Sequence, residues 1–261
     1  PILSGHLGGA NDLARQFSAL CGAVPVITTA TDANGIFAVD EWAKHQNCQV
    51  LEPARIKAVS GKLLAGRTAS VWSEFPLPGA APAGVIPTQT QDAADFALTL
   101  FPAGKALHLV PRIGVLGVGC KRGTTTEQLE AAFAAFCETH GLAPACICAA
   151  ASIDLKQNEA GLLAFCQAHR WKVSFYSAAQ LQAAPGAFTP SHFVQSVTGV
   201  DNVCERAALA ACRKEDKEKI KQPGCGSEGK EKSYMQQNCD SRENQKKMLV
   251  QGRLLLKKKA K

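Results

Sequence analysis

The chain has 261 residues, a hydrophobic content of 46% and a formal net charge of +7. Residues 213–261 hold 15 Lys and Arg against 7 Asp and Glu, whereas residues 1–212 hold 14 against 15. The near-neutral body argues against a nucleic-acid-binding face, and no apolar run reaches the roughly 18 residues that a membrane helix needs. The 11 cysteines include no paired Cys-x-x-Cys units, so neither a zinc framework nor a disulfide scaffold is indicated, and we expect a cytoplasmic protein.

Strands and helices are predicted along the chain, and from residue 112 onward they alternate. The expected strands lie at 24–28, 69–75, 96–100, 107–110, 113–118, 145–150 and 172–176. Helices are expected after Asn11, after Phe37, over 54–64, after Thr124, over 159–169, over 178–183 and from Val203. Because this alternation favours parallel sheets covered by helices, the fold class is α/β: parallel-sheet βα units in two domains joined by a small α+β middle region.

Composition divides the chain into four segments. Residues 1–47 are expected to form a partial amino-terminal α/β domain, and residues 48–111 a middle region that contains the Pro-, Ala- and Gly-rich stretch 76–87. Residues 112–212 are expected to form a carboxy-terminal α/β domain. The basic segment 213–261 is rich in Lys, Glu and Gln, which is typical of a solvated or flexible tail.

The most informative motif is a strand, a glycine loop and a helix within residues 112–127. Glycine frees the backbone for a tight turn, and Thr124 with Glu127 matches a capping box at the start of the helix. Val118 ends the predicted strand. The loop glycines are Gly117, Gly119 and Gly123.

The ligand predicted for this loop is an anion. Free backbone amides at a helix start, with Lys121 and Arg122 beside them, are typical of an anion site. A dinucleotide loop requires Gly-x-Gly-x-x-Gly, whereas three residues separate Gly119 from Gly123. A Walker loop requires Lys directly before Ser or Thr, whereas Gly123 precedes Thr124. The alternative is an ordinary turn with a solvated basic pair.

Further polar side chains follow the predicted strands, where α/β sheets collect ligands. His6 is a candidate general base, because imidazole titrates near neutral pH, or else a structural histidine. Asp154 and Glu159 are further candidate bases, and Lys156 is a candidate binder of a carboxylate. The other candidate ligand contacts are Gly5, Gly8, Gly9, Asn11, Asp32, Asn34, Gly119, Lys121, Arg122 and Thr124.

Several polar residues also suit plain structural roles. Asn11 is typical of a helix cap, and the Asp and Asn of the loop at 29–35 are typical of an Asx-turn. Glu205 and Arg206 lie in the first turn of the last helix, where they would pair or face solvent. Cys120 is a conceivable nucleophile, but a lone cysteine in a glycine turn is more often a bystander.

Taken together, the loop motifs resemble one family. The motifs lie at 4–11, 25–42, 73–75, 117–125, 152–159 and 199–205. In this order they are similar to the cobalt-precorrin-5A hydrolases of the anaerobic corrin-ring pathway. The resemblance covers residues 1–212. Residues 213–251 do not share it, whereas residues 252–261 again resemble the approach to the family's last strand.

The resemblance implies a substrate and a reaction. Cobalt-precorrin-5A is a cobalt-bearing tetrapyrrole ringed with acetate and propionate groups. The family opens its δ-lactone and releases acetaldehyde, which gives cobalt-precorrin-5B. A hydrolase acting on a carbon–carbon bond is therefore implied, with no cofactor or metal of its own, because the cobalt belongs to the substrate. A polycarboxylate suits several anion sites; no membrane or nucleic-acid partner is expected, and a homodimer is left open.

The resemblance also suggests a mechanism. Water activated by His6, Asp154 or Glu159 would attack the lactone carbonyl, and loop amides would hold the oxyanion. A base would then take the proton of the freed hydroxyl so that carbon–carbon cleavage expels acetaldehyde.

Two departures from the family are expected to matter. Family members carry more chain before the Ser-Gly-His loop, so we expect truncation at both ends, an insertion near 213–251 and exposed strand edges.

Two alternative functions stay open: a non-catalytic corrinoid-binding accessory protein, and a polyanion-binding protein that acts through its basic tail.

Overall fold

The computed structural model describes residues 9–27, 31, 34–75, 77 and 81–220, with side chains described as far as residue 212. The chain divides into two compact units, of which the first ends at Pro111 and the second begins at Arg112. The predictions for the basic tail fall almost entirely outside the described residues. In the described residues no helix is long and apolar enough to cross a membrane.

The first unit is built on a five-stranded sheet with the strand order β1-β5-β4-β2-β3. Strands β2 to β5 pair in parallel, and β1 pairs antiparallel to β5. Its described elements are α1 (Ala10–Cys21), α2 (Val39–His45), β1 (Cys48–Val50), α3 (Ile56–Leu64), β2 (Ala69–Ser73), β3 (Val85–Pro87), β4 (Phe96–Leu98) and β5 (Leu107–Pro111).

The centre of this sheet is the core of the first unit. Every residue of β4 and β5 is buried, which is expected of a strand with neighbours on both edges and apolar cover on both faces. Phe37, Trp42 and Phe96 pack with ring centroids 5.9 to 6.4 Å apart. These aromatic contacts attach α2 and the chain before it to the sheet.

Asp95, just before β4, is the centre of a polar network. Its carboxylate accepts hydrogen bonds from Lys62 Nζ at 2.7 and 2.8 Å and from the Ser70 amide at 2.8 Å. Partial burial acts to raise the pKa of Asp95, but the hydrogen bonds from Lys62 and Ser70 outweigh it and lower the pKa. The network ties α3 and β2 to the start of β4.

Asp95→Asn is expected to lower the free energy of unfolding by about 2 kcal/mol at pH 7, because it weakens the Lys62 and Ser70 contacts. Because folding lowers the pKa of Asp95, its stabilising effect is full above the unfolded pKa and is lost as the pH falls below about 4. Urea unfolding at pH 7 and pH 3 should show a variant deficit that shrinks at the lower pH. The exposed Asp92→Asn serves as the control, and an Asp95 deficit that is equal at both pH values would contradict the assignment.

The second unit holds a three-stranded parallel sheet with the order β6-β7-β8. Helices cover both of its faces. Its described elements are β6 (Gly114–Gly117), α4 (Thr126–His140), β7 (Ile147–Ile153), α5 (Ala160–Ala168), β8 (Lys172–Tyr176), α6 (Ala178–Gln182), α7 (His192–Thr198) and α8 (Val203–Ile220).

Two glycines set the close packing of this unit. A methyl group on Gly117 would overlap the carbonyl oxygen of Cys204, so α8 rests directly on the end of β6. A methyl group on Gly161 would overlap the carbonyl oxygen of Thr124, so α5 begins against the loop before α4. Both positions require a residue without a side chain.

The α/β class predicted from sequence is confirmed, and most of the predicted elements are present within a few residues. The capping box was predicted one residue too early: Thr125 caps α4 with Gln128, because the Thr124 hydroxyl donates to the carbonyl of Lys121 at 2.8 Å. The strand predicted at 24–28 is wrong over its described part, which pairs with no described strand. The sequence analysis missed β1, β3 and α7.

Exposure differs among the small and apolar side chains of the two units. Cys146 and Cys166 are buried and Cys148 is half-buried. On α1, Leu13 and Phe17 are more than half exposed.

Candidate functional site

The carboxyl edge of the second sheet brings several loops together. Because β6, β7 and β8 are parallel, their last residues meet at one edge. The loop 118–125 leaves β6 there, and a short 3₁₀ turn, Asp154–Lys156, leaves β7. The first turn of α8 lies at the same edge, since a Cβ on Gly119 would be 2.9 Å from Cys204 Sγ.

The strand side of loop 118–125 is fixed by hydrogen bonds to β7. The Val118 amide donates to the carbonyl of Ala151 at 2.8 Å, and Ser152 Oγ donates to the carbonyl of Val118 at 2.7 Å. At the helix side Gly123 adopts a φ of 74°, which glycine reaches without strain. The loop is therefore held in one shape at the start of α4.

Glu159, a candidate base, accepts a hydrogen bond from this loop. Its carboxylate accepts the Gly123 amide at 3.0 Å and Lys156 Nζ at 3.0 Å. The side chains of Glu159 and Lys156 are only 13% and 17% exposed. The Gly123 hydrogen bond, followed by that of Lys156, lowers the pKa of Glu159, so the group is held ionised and is a weak base.

The same contacts change the interpretation of Lys156, which was predicted to bind a ligand carboxylate. In this structure its ammonium group binds the carboxylate of Glu159, and the Gly123 amide of the predicted anion loop does the same. The loop therefore does bind a carboxylate, but one that belongs to the protein.

Lys156→Met is expected to raise the pKa of Glu159 toward its ordinary value, because one of the two hydrogen bonds and the neighbouring positive charge are lost. The Gly123 amide stays in place, so the pKa should not rise above the ordinary value. A carbon-13 NMR titration of the labelled carboxyl measures the change. Lys121→Met is the matched control, and an equal shift in both variants would contradict the pairing.

Asp154 is less exposed to solvent than the basic residues Lys121 and Arg122. Asp154 is half-buried, and within the described residues its carboxylate makes no hydrogen bond or ion pair. Lys121 and Arg122 are exposed, and the charge of Arg122 also acts on Glu159. Asp154 is thus available as a base, while Lys121 and Arg122 are available to a bound anion.

An open pocket of about 570 Å³ lies between the loop before α4 and the start of α5. A cavity of this size accepts part of a large ligand or one side chain of it rather than a whole macrocycle. Thr124, another predicted ligand contact, lines this pocket. The pocket is lined by Arg122, Gly123, Thr124, Thr125, Thr126, Glu127, Glu159, Ala160, Gly161 and Ala164.

Cys120 has the features of a bystander. Burial, more than any other influence, raises the pKa of its thiol, although the positive charge of Lys156 acts in the opposite direction. A protonated thiol is a poor nucleophile. Burial likewise raises the pKa of the neighbouring Cys204 thiol to about 12, so neither thiol is activated.

The candidate contacts of the first unit are only partly described. Gly9 has a φ of 77° immediately before α1, Asn11 is buried, and Asn34 lies in a turn. Asn11 does not cap the helix, because the residue at the cap position is Gly9. Four candidates lie outside the described residues: Gly5, His6, Gly8 and Asp32.

The sequence analysis misjudged the first turn of α8. Arg206 does pair, with its Nε 2.7 Å from Asp201 Oδ1, but Glu205 is buried with 7% exposure instead of pairing or facing solvent. Its position three residues after Asn202, which caps the helix by accepting the Glu205 amide at 2.9 Å, gives no sign of burial. In the described part of the chain no three His, Cys, Asp or Glu residues are grouped to hold a metal.

Two family models match the sequence. The model of the Cobalamin synthesis G N-terminal domain matches residues 1–32, and that of the Cobalamin synthesis G C-terminus matches residues 114–226. The second match runs past residue 212, where the sequence resemblance was expected to stop. Both matches include loops that carry candidate site residues.

The chain is also similar to three individual proteins. The chain is 31% identical over 222 residues to a cobalt-precorrin-5A hydrolase of Salmonella typhimurium, which is 79% of this chain and 63% of that protein. It is 27% identical over 231 residues to a cobalt-precorrin-5A hydrolase of Priestia megaterium, which is 80% of this chain and 61% of that protein. The chain thus spans a little over three fifths of the length of these two relatives.

The third similar protein has a solved structure. This protein is CobE, from the cobalamin (vitamin B12) biosynthetic pathway, and its structure is a crystal structure. The sequence identity is 34%, with a TM-score of 0.36, and the match covers 39% of this chain and 72% of that one.

Proposed function

The chain belongs to the cobalamin synthesis G family, and on that premise we propose that it acts in cobalamin biosynthesis as a cobalt-precorrin-5A hydrolase. It would open the δ-lactone of this tetrapyrrole and release acetaldehyde to give cobalt-precorrin-5B. The observation that carries the proposal is the likeness to two such hydrolases along about four fifths of the chain.

The carboxyl edge of the second sheet supports a substrate with several carboxylates. Lys121 and Arg122 are exposed beside the amino-terminal end of α4, and a helix start favours bound anions. The Gly123 amide and Lys156 already bind one carboxylate, that of Glu159. We assign Lys121, Arg122 and the pocket beside them to acetate or propionate groups of the substrate.

Asp154 is the base that the described geometry favours for lactone opening. Its carboxylate has no partner among the described residues, whereas that of Glu159 is held by two donors. Asp154 would take a proton from water while the water oxygen bonds to the lactone carbonyl carbon. The carbonyl oxygen gains the electron pair, and amides of the glycine loop would stabilise it.

Collapse of this intermediate then breaks the bond between the carbonyl carbon and the ring oxygen of the lactone. The departing oxygen takes a proton and becomes a hydroxyl group, and the carbonyl carbon becomes a carboxylate of the same molecule. His6, which lies outside the described residues, is the second candidate for the base. The cobalt enters as part of the substrate, so this proposal assigns no metal site to the chain.

A second candidate function is that of a protein that binds a corrinoid without hydrolysing it. The similarity to CobE, a protein of the same biosynthetic pathway, covers only 39% of this chain, so it does not require the whole chain of a hydrolase. The match of the amino-terminal family model to residues 1–32 favours the hydrolase. The two functions differ in whether acetaldehyde and cobalt-precorrin-5B are formed.

The test is an anaerobic incubation of the protein with cobalt-precorrin-5A, followed by trapping of acetaldehyde and mass analysis of the tetrapyrrole. We expect one acetaldehyde per product molecule. Tight binding of the tetrapyrrole without acetaldehyde would favour the accessory function, and neither binding nor release would refute both.

A further inference from the structure

Among the described residues whose side chains are buried, Glu205 is the one with a carboxylate. Its side chain is 7% exposed. One oxygen, Oε2, accepts the amide of Thr189 at 3.3 Å. The other, Oε1, is buried and has no hydrogen-bond partner among the described residues.

The location of Glu205 ties it to the candidate site. It lies in the first turn of α8, the helix whose start rests on Gly117 and whose Cys204 Sγ is next to Gly119. The eighteen-residue α8 therefore begins at the same edge as loop 118–125. Glu205 is one residue beyond that contact.

A buried oxygen without a donor is costly for the folded protein, and more so when it is charged. An anchor for Thr189 needs one acceptor, which an uncharged side chain would supply at lower cost. The structure thus retains a buried carboxylate with spare acceptor capacity at the carboxyl edge of the second sheet. Such groups occur where a ligand or a reaction uses them.

Thr189 contacts the start of α8 through two hydrogen bonds. The contact of its amide with Glu205 is long at 3.3 Å, whereas its carbonyl accepts Asn202 Nδ2 at 2.9 Å. A shift of Thr189 breaks these two hydrogen bonds. The segment stays attached nearby, because the Ser191 amide donates to the carbonyl of Asp201 at 2.9 Å.

We propose that Glu205 is a further catalytic base and acts in the carbon–carbon cleavage step, which rests on the function proposed above. After the lactone opens, Oε1 takes the proton of the freed hydroxyl. The O–H electron pair forms the C=O bond of acetaldehyde, the adjacent carbon–carbon bond breaks, and its electron pair passes to the macrocycle, which takes up a proton. Lactone opening consumes water and uses Asp154, whereas cleavage consumes none and suits a carboxylate shielded from water.

The experiment compares wild type with Glu205→Gln, which keeps an acceptor for Thr189 and removes the base. We expect acetaldehyde release to fall at least about 100-fold, while a tetrapyrrole heavier than the substrate by one water accumulates. The melting temperature should stay the same or rise, because a buried charge is removed. Glu205→Asp should recover part of the release, since it restores a carboxylate.

Asp201→Asn, next to the same helix start, is the matched control. It loses the charge that pairs with Arg206 and is expected to lower the melting temperature without accumulation of the opened tetrapyrrole. Normal acetaldehyde release by Glu205→Gln would overturn the proposal. A lower melting temperature with both steps lost equally would also overturn it, because Glu205 would then be a structural anchor. A wild-type protein that neither opens the lactone nor releases acetaldehyde would refute the proposed function instead.

Discussion

Gly117→Ala is expected to destabilise the second unit strongly, with a loss of about 3–5 kcal/mol in the free energy of unfolding. The added methyl group would overlap the backbone carbonyl of Cys204. A backbone atom in the first turn of a helix cannot rotate aside as a side chain does, so α8 would have to leave β6. Because domains are stable by only about 5–15 kcal/mol, this loss is a large fraction of the total.

Urea unfolding followed by circular dichroism measures the effect. Gly61→Ala is the matched control, since Gly61 is exposed in α3 and a methyl group there meets no atom within 4 Å. That variant is expected to gain about 0.5–1 kcal/mol, because alanine is the better helix former. Equal stability of Gly117→Ala and wild type would show that α8 does not rest on β6 as described.

Asp154→Asn is expected to lower the rate of lactone opening by about 100- to 10,000-fold, the range that a general base contributes. Asparagine has nearly the shape of aspartate but cannot take a proton, so binding of the tetrapyrrole should change little. Single-turnover mass analysis gives the opening rate, and fluorescence or absorbance titration gives the binding constant.

Glu138→Gln on the exposed side of α4 is the control for loss of a carboxylate. If Asp154→Asn opens the lactone at the wild-type rate, the base must be another group, and His6 becomes the first to test. If opening and binding fail together, Asp154 positions the substrate rather than activating water. In the proposed reaction opening precedes cleavage, so Asp154→Asn should accumulate unreacted substrate and Glu205→Gln the opened form.

The two variants therefore separate the two chemical steps. They also separate two kinds of carboxylate at one sheet edge. Asp154 is half-buried without a described partner, and Glu205 is buried with one spare oxygen. Glu159 is a third kind, an ionised acceptor that closes the glycine loop.

Much of this arrangement was predictable from local sequence. The alternation of short apolar runs with helical patterns predicted the α/β class, because both patterns record burial on one face of a local element. Gly123 and the Thr-rich start of α4 likewise predicted the loop between β6 and that helix. These features depend on residues that are close in the chain.

The errors have a common physical origin. Thr124 and Thr125 are both acceptable caps by residue type, and the choice between them followed from a hydrogen bond of Thr124 to Lys121. The strand expected at 24–28 has the right residues, but a strand exists only where another strand pairs with it. The short β1 was missed because its three residues are stabilised by pairing with β5 rather than by their own pattern.

The sequence by itself determined the class of fold and the positions of the polar loops, because these follow from residue type and spacing along the chain, while the family was indicated by the resemblance of its loop motifs. Only the tertiary structure decided which charges are used and which are spare. Glu159 is held by Gly123, 36 residues away, and Glu205 is buried against Thr189. Charge state and hydrogen-bond capacity depend on neighbours brought together by folding, and no pattern within one segment records them.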